Sequence, residues 1–293
     1  MAEWKGKSRG NTLGYAIFIF IFKNFGVRPA YFVLYFVVLY YFFFSPETSK
    51  HIYNYFHQRI GYSKLKSFFK IYISYYRLGQ MLIDKMMIMS GMRDQFTSES
   101  FGAENMKNIV AGNKGGILLG AHLGNWEIAG HYLMGYGDTI NILVFDREHE
   151  QLKNYLEGVT GGRKFKLIAI KDDLSHIYEI GEALERNEII ATTADRFLGE
   201  GKTRSFKFLG EEARFPLGIF QIIKTFRANY SFVYGVKRSA THYNFYCRPP
   251  RSVTKETTID MIMEDYVRDL EGMVKENPEQ WFNYYDFWKK RNS

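Results

Sequence analysis

Beyond Gly115 the chain alternates between short apolar runs and longer amphipathic stretches, and that alternation constrains its fold more than any other feature. Runs of four to eight apolar, β-branched residues bounded by polar turns read as buried strands, and stretches with apolar residues every three to four positions read as helices. The strands expected are Gly116–Leu119, Ile140–Phe145, Phe165–Ile170, Glu188–Thr193, Tyr230–Val236 and Asn244–Cys247. Between and after them the pattern predicts helices over Trp126–Met134, Glu148–Gly158, Asp173–Arg186, Pro216–Phe226 and Thr258–Glu276. Strand and helix in alternation give an α/β sandwich with an at least partly parallel sheet.

The N-terminal third has a different texture. After the basic start MAEWKGKSRG, residues Leu13–Phe44 are almost wholly apolar, interrupted by Lys23, Asn24, Gly26, Arg28 and Pro29. The second block, Ala30–Phe44, would rise about 22 Å as a helix, against a hydrocarbon core of roughly 30 Å. Three membrane-related readings follow: a hairpin embedded in the membrane and turning at Gly26–Pro29, one tilted helix, or a secretory signal. A pair of aromatic core helices is the alternative without a membrane. Lys5, Lys7 and Arg9 favour a cytoplasmic N-terminus. From Ser45-Pro46 to about Gly112 the spacing predicts amphipathic helices with a basic face. The expected organisation is a membrane anchor over 1–45, an amphipathic helical segment over 46–112 and an α/β catalytic domain over 113–293.

Composition narrows the partners. Among the 293 residues, 39 Lys and Arg against 31 Asp and Glu give a net charge of +8, and aromatic residues make up 18%. A basic, ring-rich chain suits an anionic partner at a membrane interface. A single cysteine, Cys247, excludes an internal disulfide and any multi-cysteine metal site. No G-x-S-x-G elbow is present, Gly199–Thr203 lacks the leading glycine of a phosphate loop, and no nucleic-acid module matches.

Ligands of open α/β sheets collect beyond the carboxyl ends of the strands. Those positions carry Ala121-His122, Asp146-Arg147, Lys171-Asp172-Asp173 and Asp195-Arg196. Parallel strands would bring the four groups to one cleft. The sharpest local feature is His122-Leu123-Gly124-Asn125-Trp126-Glu127. With Gly124 allowing a reversal and Asn125 capping a helix, Glu127 would turn back toward the imidazole and hold it as a general base. A His/Glu pair at this spacing also arises for purely structural reasons. No pair of histidines has metal-ligand spacing here, since His122 and His131 lie nine apart.

An apolar N-terminal leader followed by H-x-x-x-x-E after a short strand resembles the lysophospholipid acyltransferase superfamily, and within it the late lipid A biosynthesis acyltransferases. Supporting matches are Val144-Phe145-Asp146-Arg147, Gly161-Gly162-Arg163, Ala194-Asp195-Arg196, Phe208-Leu209-Gly210, Arg214–Gly218, Asn277–Trp281 and Phe287-Trp288. The resemblance implies a glycerolipid-acyltransferase type of sandwich at the cytoplasmic face of a bacterial inner membrane. It implies transfer of an acyl chain from an acyl-carrier-protein thioester to a hydroxyl of a membrane glycolipid acceptor, a lipid A precursor, with neither metal nor other cofactor and no nucleic-acid partner. His122 would then be the base and Glu127 its orienting carboxylate. Arg147, Arg163, Asp195, Arg196 and Arg214 would bind substrate, the guanidinium forks suiting phosphate oxygens. Two other readings stay open: another lipid acceptor (a lysophospholipid, an aminolipid or a phenolic lipid), and a silent membrane-associated binding protein.

Overall fold

A computed structural model describes residues 12–126, 128, 139–145, 165–171, 173–197 and 201–288. The chain divides into two compact units, one of residues 1–95, 205–214 and 271–293, the other of residues 96–204 and 215–270.

In the first unit the leader forms two helices, α1 (Thr12–Phe25) and α2 (Val27–Phe44). The break falls at Gly26, whose φ of 82° lies in the left-handed region that a glycine adopts at little cost. This excludes one continuous helix. Pro29 sits in the first turn of α2, where a missing backbone N–H is tolerated. Then come α3 (Pro46–Asn54), a π-helical turn over Tyr55–Arg59, and the long α4 (Lys64–Met89), capped by Ser63. On α2 the buried residues are Val27, Ala30, Tyr31, Leu34 and Val38, a helical i, i+3, i+4, i+7 stripe. It packs closely against α4: a Cβ at Gly79 would stand 2.5 Å from Leu34 Cδ1, so any larger residue there would have to displace the Leu34 side chain. Tyr31 donates a buried hydrogen bond to Asp84 across the same seam.

The second unit carries a seven-stranded sheet. Its elements are β1 (Thr97–Phe101), α5 (Asn105–Val110), β2 (Gly116–Gly120), β3 (Ile140–Phe145), β4 (Phe165–Ile170), α6 (Ser175–Glu185) and β5 (Ile189–Thr193). After a two-stranded hairpin, β6 (Thr203–Phe208) and β7 (Glu211–Pro216), follow α7 (Gly218–Phe226), β8 (Asn229–Lys237), β9 (His242–Cys247) and α8 (Ile259–Glu276), the last of which ends in the first unit's residues. The strand order is β1-β9-β8-β2-β5-β3-β4. From β8 to β4 all neighbours are parallel; β9 runs antiparallel to β8, and β1 parallel to β9. All five residues of β2 are buried, as expected for a central strand covered on both faces. Each of Ile117, Leu118 and Leu119 contributes about 1.5–3 kcal/mol by leaving water, which fixes the strand that leads into His122.

The six expected strands and the three C-terminal helices lie where the pattern put them, within two residues at each end. The helices expected over Trp126–Met134 and Glu148–Gly158 fall largely or wholly outside the described residues. One expectation needs correction, and one element was not foreseen. The segment from Ser45 to Gly112 is not helical throughout: it contains β1, whose polar TSESF is exposed at every position as an edge strand, so neither apolar alternation nor a buried run marks it. The hairpin β6–β7 is likewise absent from the sequence reading. Its turn residues Leu209 and Gly210 have φ of 51° and 87°, the two positive values of a primed hairpin turn. Leucine in the first of those positions conceals the signal that Asn-Gly would have given.

Candidate active site

The parallel pairing of β2 with β5 builds the site. In that ladder Gly120 is in register with Thr193, so residues two positions beyond each strand end emerge side by side. Those residues are His122 and Asp195. The imidazole Nδ1 lies 2.7 Å from Asp195 Oδ1, and the backbone N–H of His122 donates to Oδ2 at 3.0 Å. One carboxylate thus engages both the ring and the main chain of the same residue, fixing the ring's position and its tautomer together. Asp195 is wholly buried, whereas the His122 side chain keeps 24% exposure.

Burial alone would raise the Asp195 pKa. The charge and hydrogen bond of His122, then the Arg196 guanidinium and the His122 backbone N–H, outweigh it and bring the carboxyl to about 2. Asp195 is therefore an anion throughout the working pH range, and a fixed negative charge behind an imidazole stabilises the imidazolium that forms when the ring accepts a proton.

The surrounding chain leaves the pair little freedom. Ala121, Leu123 and Ala194 are fully buried and pin the loops on either side. Ala194 N–H extends the ladder by donating to Gly120 O at 3.1 Å, and Tyr266 Oη on α8 donates to the same carbonyl at 2.8 Å. Gly124, at φ 65°, bridges to Gly235 of β8. Asn125 N–H donates to Gly235 O at 2.7 Å. A Cβ on Gly124 would lie 2.1 Å from that same oxygen. Gly124 thus supplies a close backbone crossing as well as a turn. Trp126, where helix resumes, sets its ring edge-on to His122 with centroids 6.4 Å apart.

Four strand ends were expected to converge, and β2, β5, β3 and β4 are indeed adjacent and parallel. The sites on them differ. His122 and Asp195 meet directly. Arg196 follows Asp195 at intermediate exposure. At the end of β4, Lys171 is taken up locally, its N–H donating to His176 Nδ1 and its ammonium 3.8 Å from Glu179. Arg214 belongs to β7, in the first unit. Glu127, Arg147 and Arg163 lie outside the described residues. The carboxylate on Nδ1 is Asp195, where the sequence reading had set Glu127 and had given Asp195 to substrate binding. The available signal was positional: both residues stand two places past strands that pair in register, but which strands pair is not written in either one. Tyr266 and Gly235, which brace the site, carried no signal.

A buried anion holding an imidazole at the carboxyl edge of a parallel sheet defines an α/β site suited to taking a proton from a hydroxyl or similar group. The profile of the bacterial lipid A biosynthesis acyltransferases matches residues 71–290, and the chain belongs to that family. It is an acyl-transferring enzyme of the lipid A type, acting between an acyl donor and a lipid acceptor. Comparison with curated proteins gives no match. The match begins inside α4, so α1 and α2 stand outside it; α2 is, by length and composition, apolar enough to cross a membrane.

Proposed function

We propose that this enzyme moves a fatty acyl chain from an acyl-carrier-protein thioester to a hydroxyl of a lipid A precursor at the cytoplasmic face of the inner membrane. The 2.7 Å contact between His122 Nδ1 and Asp195, inside the family-matched region, is the observation that carries the reading. With Nδ1–H donated to Asp195, proton transfer falls to Nε2. Nε2 accepts the hydroxyl proton as the acceptor oxygen attacks the thioester carbonyl. The tetrahedral intermediate then collapses with cleavage of the C–S bond, and the imidazolium returns its proton to the departing thiolate. The products are the ester and the carrier's free thiol, and the enzyme ends in its starting protonation state. General-base assistance of this kind is worth about 10²–10⁴ in rate.

In this scheme Asp195 takes the orienting role, and Glu127, the acidic member of the H-x-x-x-x-E sequence, adds a second negative charge that stabilises the imidazolium. Arg196 adjoins Asp195 in sequence and Arg147 stands two residues after β3; both suit acceptor phosphate or the developing oxyanion, as do Arg163 and Arg214. The apolar leader and the net charge of +8 support residence at an anionic membrane.

Purified full-length protein given acyl-carrier thioester and a lipid A precursor should yield a product heavier by one acyl chain, with His122→Ala giving none. Equal product from that variant would remove the mechanism. The lipid profile of a deletion strain reports the acceptor: loss of one lipid A acyl chain supports the reading, and an altered phospholipid or aminolipid pool with intact lipid A overturns it.

A further inference from the structure

The leader has two ways to meet a membrane, across it or along it, and the packing of the first unit separates them. On α2 the face opposite the buried stripe carries Phe32, Phe36, Leu39, Tyr40, Phe43 and Phe44, exposed by 41% to 69%. Such a contiguous aromatic face requires a partner. The other face is occupied by protein along nearly its whole length: Tyr31 meets Asp84, Tyr35 stacks on Tyr76 with centroids 4.5 Å apart, and Phe42 packs on Phe68 and Tyr72. The two helices are therefore antiparallel neighbours.

Helix α4 is no membrane helix. It carries Lys64, Lys66, Lys70, Arg77, Asp84 and Lys85. On a further side it is tied to the C-terminal segment: Lys70 pairs with Glu279, and Tyr284 Oη donates to Ser74 O at 2.9 Å. That segment is a 3₁₀ turn followed by irregular backbone. If α2 crossed a bilayer, α4 and this irregular chain would be carried to hydrocarbon depth beside it, with charged groups and backbone that lipid cannot satisfy. The charges at the ends of α2 point the same way. Exposed Lys23 and Arg28 flank its start, and exposed Lys50, Lys64 and Lys66 gather near its end, with Glu47 among them. A spanning helix has its basic flank on one side; here both ends are basic.

We propose that α2, together with α1, lies in the plane of a single leaflet of an anionic bilayer, its aromatic face in the acyl boundary and both basic ends at the same headgroup layer. This rests on the membrane residence argued above and specifies its geometry. The enzyme is then held to one face of the membrane by a half-embedded helical platform.

Depth measurement on the full-length protein tests it. Nitroxide labels are placed singly at Phe32→Cys, Phe36→Cys and Phe43→Cys, and the protein is bound to vesicles of phosphatidylethanolamine with phosphatidylglycerol. The native thiol of Cys247 is buried and its pKa pushed up to about 11, which protects it from labelling. The expected result is one shared shallow depth at all three positions. Independently, Lys64→Gln with Lys66→Gln should weaken binding to these vesicles about 30-fold, at about 1 kcal/mol per lysine, without change in far-UV circular dichroism. A depth that passes through a maximum at residue 36 overturns the in-plane geometry and leaves membrane residence standing. Failure of the unlabelled protein to bind vesicles of any composition overturns both, and a stable dimer in solution with no vesicle binding assigns the aromatic face to a second copy of the chain.

Discussion

Replacing Asp195 by Asn tests the site at its narrowest point, because the two groups have nearly the same shape and differ in acceptors. The carboxylate receives two N–H groups from His122, the ring Nδ1–H on Oδ1 and the backbone N–H on Oδ2. An asparagine has one acceptor oxygen and one donor amide. The backbone N–H cannot change what it offers, so the amide oxygen turns toward it and the NH₂ faces Nδ1. The imidazole then keeps its proton on Nε2, and the nitrogen assigned to proton abstraction becomes a donor. The variant also loses the anion that stabilises the imidazolium. Loss of the general-base contribution should lower kcat by about 10²–10⁴, a barrier increase of about 2.7–5.5 kcal/mol, with little change in KM for the acyl donor. The assay is mass-spectrometric measurement of initial rates of acylated product over a range of acyl-donor concentrations. Nitrogen NMR of labelled histidine reports the tautomer: Nδ1–H in the native protein, Nε2–H in the variant. A folded Asp195→Asn enzyme that keeps kcat within about threefold would refute the assignment of the barrier to this pair.

Gly124→Ala should destabilise the enzyme by several kcal/mol and lower its melting temperature, since the new Cβ meets Gly235 O at 2.1 Å on a backbone with φ of 65°; an unchanged melting temperature would show that this crossing is not rigid. Tyr266→Phe should cost about 0.5–1.5 kcal/mol and reduce kcat modestly, because Gly120 O retains its bond from Ala194 N–H; denaturant midpoints measure the first and initial rates the second. Stability should also fall in acid. Asp195 and Glu188 are both held at about 2 in the folded chain, the latter by Arg186, Asn141 and Lys166 against the cost of its burial. Their unfolded values are about 3.9 and 4.3. A depressed folded pKa gives stability that is full above the unfolded value and is lost as pH falls through the folded one. Stability should therefore be flat above about pH 5 and decline toward pH 2, and Glu188→Gln should shallow that decline; an identical slope would place the acid sensitivity elsewhere.

The sequence by itself determined the α/β class, because six short apolar runs that bury Ile117, Leu119, Val144, Ile168 and Ile190 alternate with amphipathic helical stretches that can cover them. It also singled out His122 as a candidate base, from its place just past a buried strand, while leaving a structural role open. The tertiary structure decided what stands behind that base. His122 and Asp195 are 73 residues apart, and their meeting follows from β5 inserting beside β2 in one register out of many, a choice made by the packing of the whole sheet and by neither segment's local pattern. The leader shows the same division: its composition is compatible with a membrane segment or with a pair of core helices, and only the packed α4 along α2 separates its covered face from its exposed one. Periodicity records what a residue needs to escape from water; which neighbour fulfils the need is a property of the assembled chain.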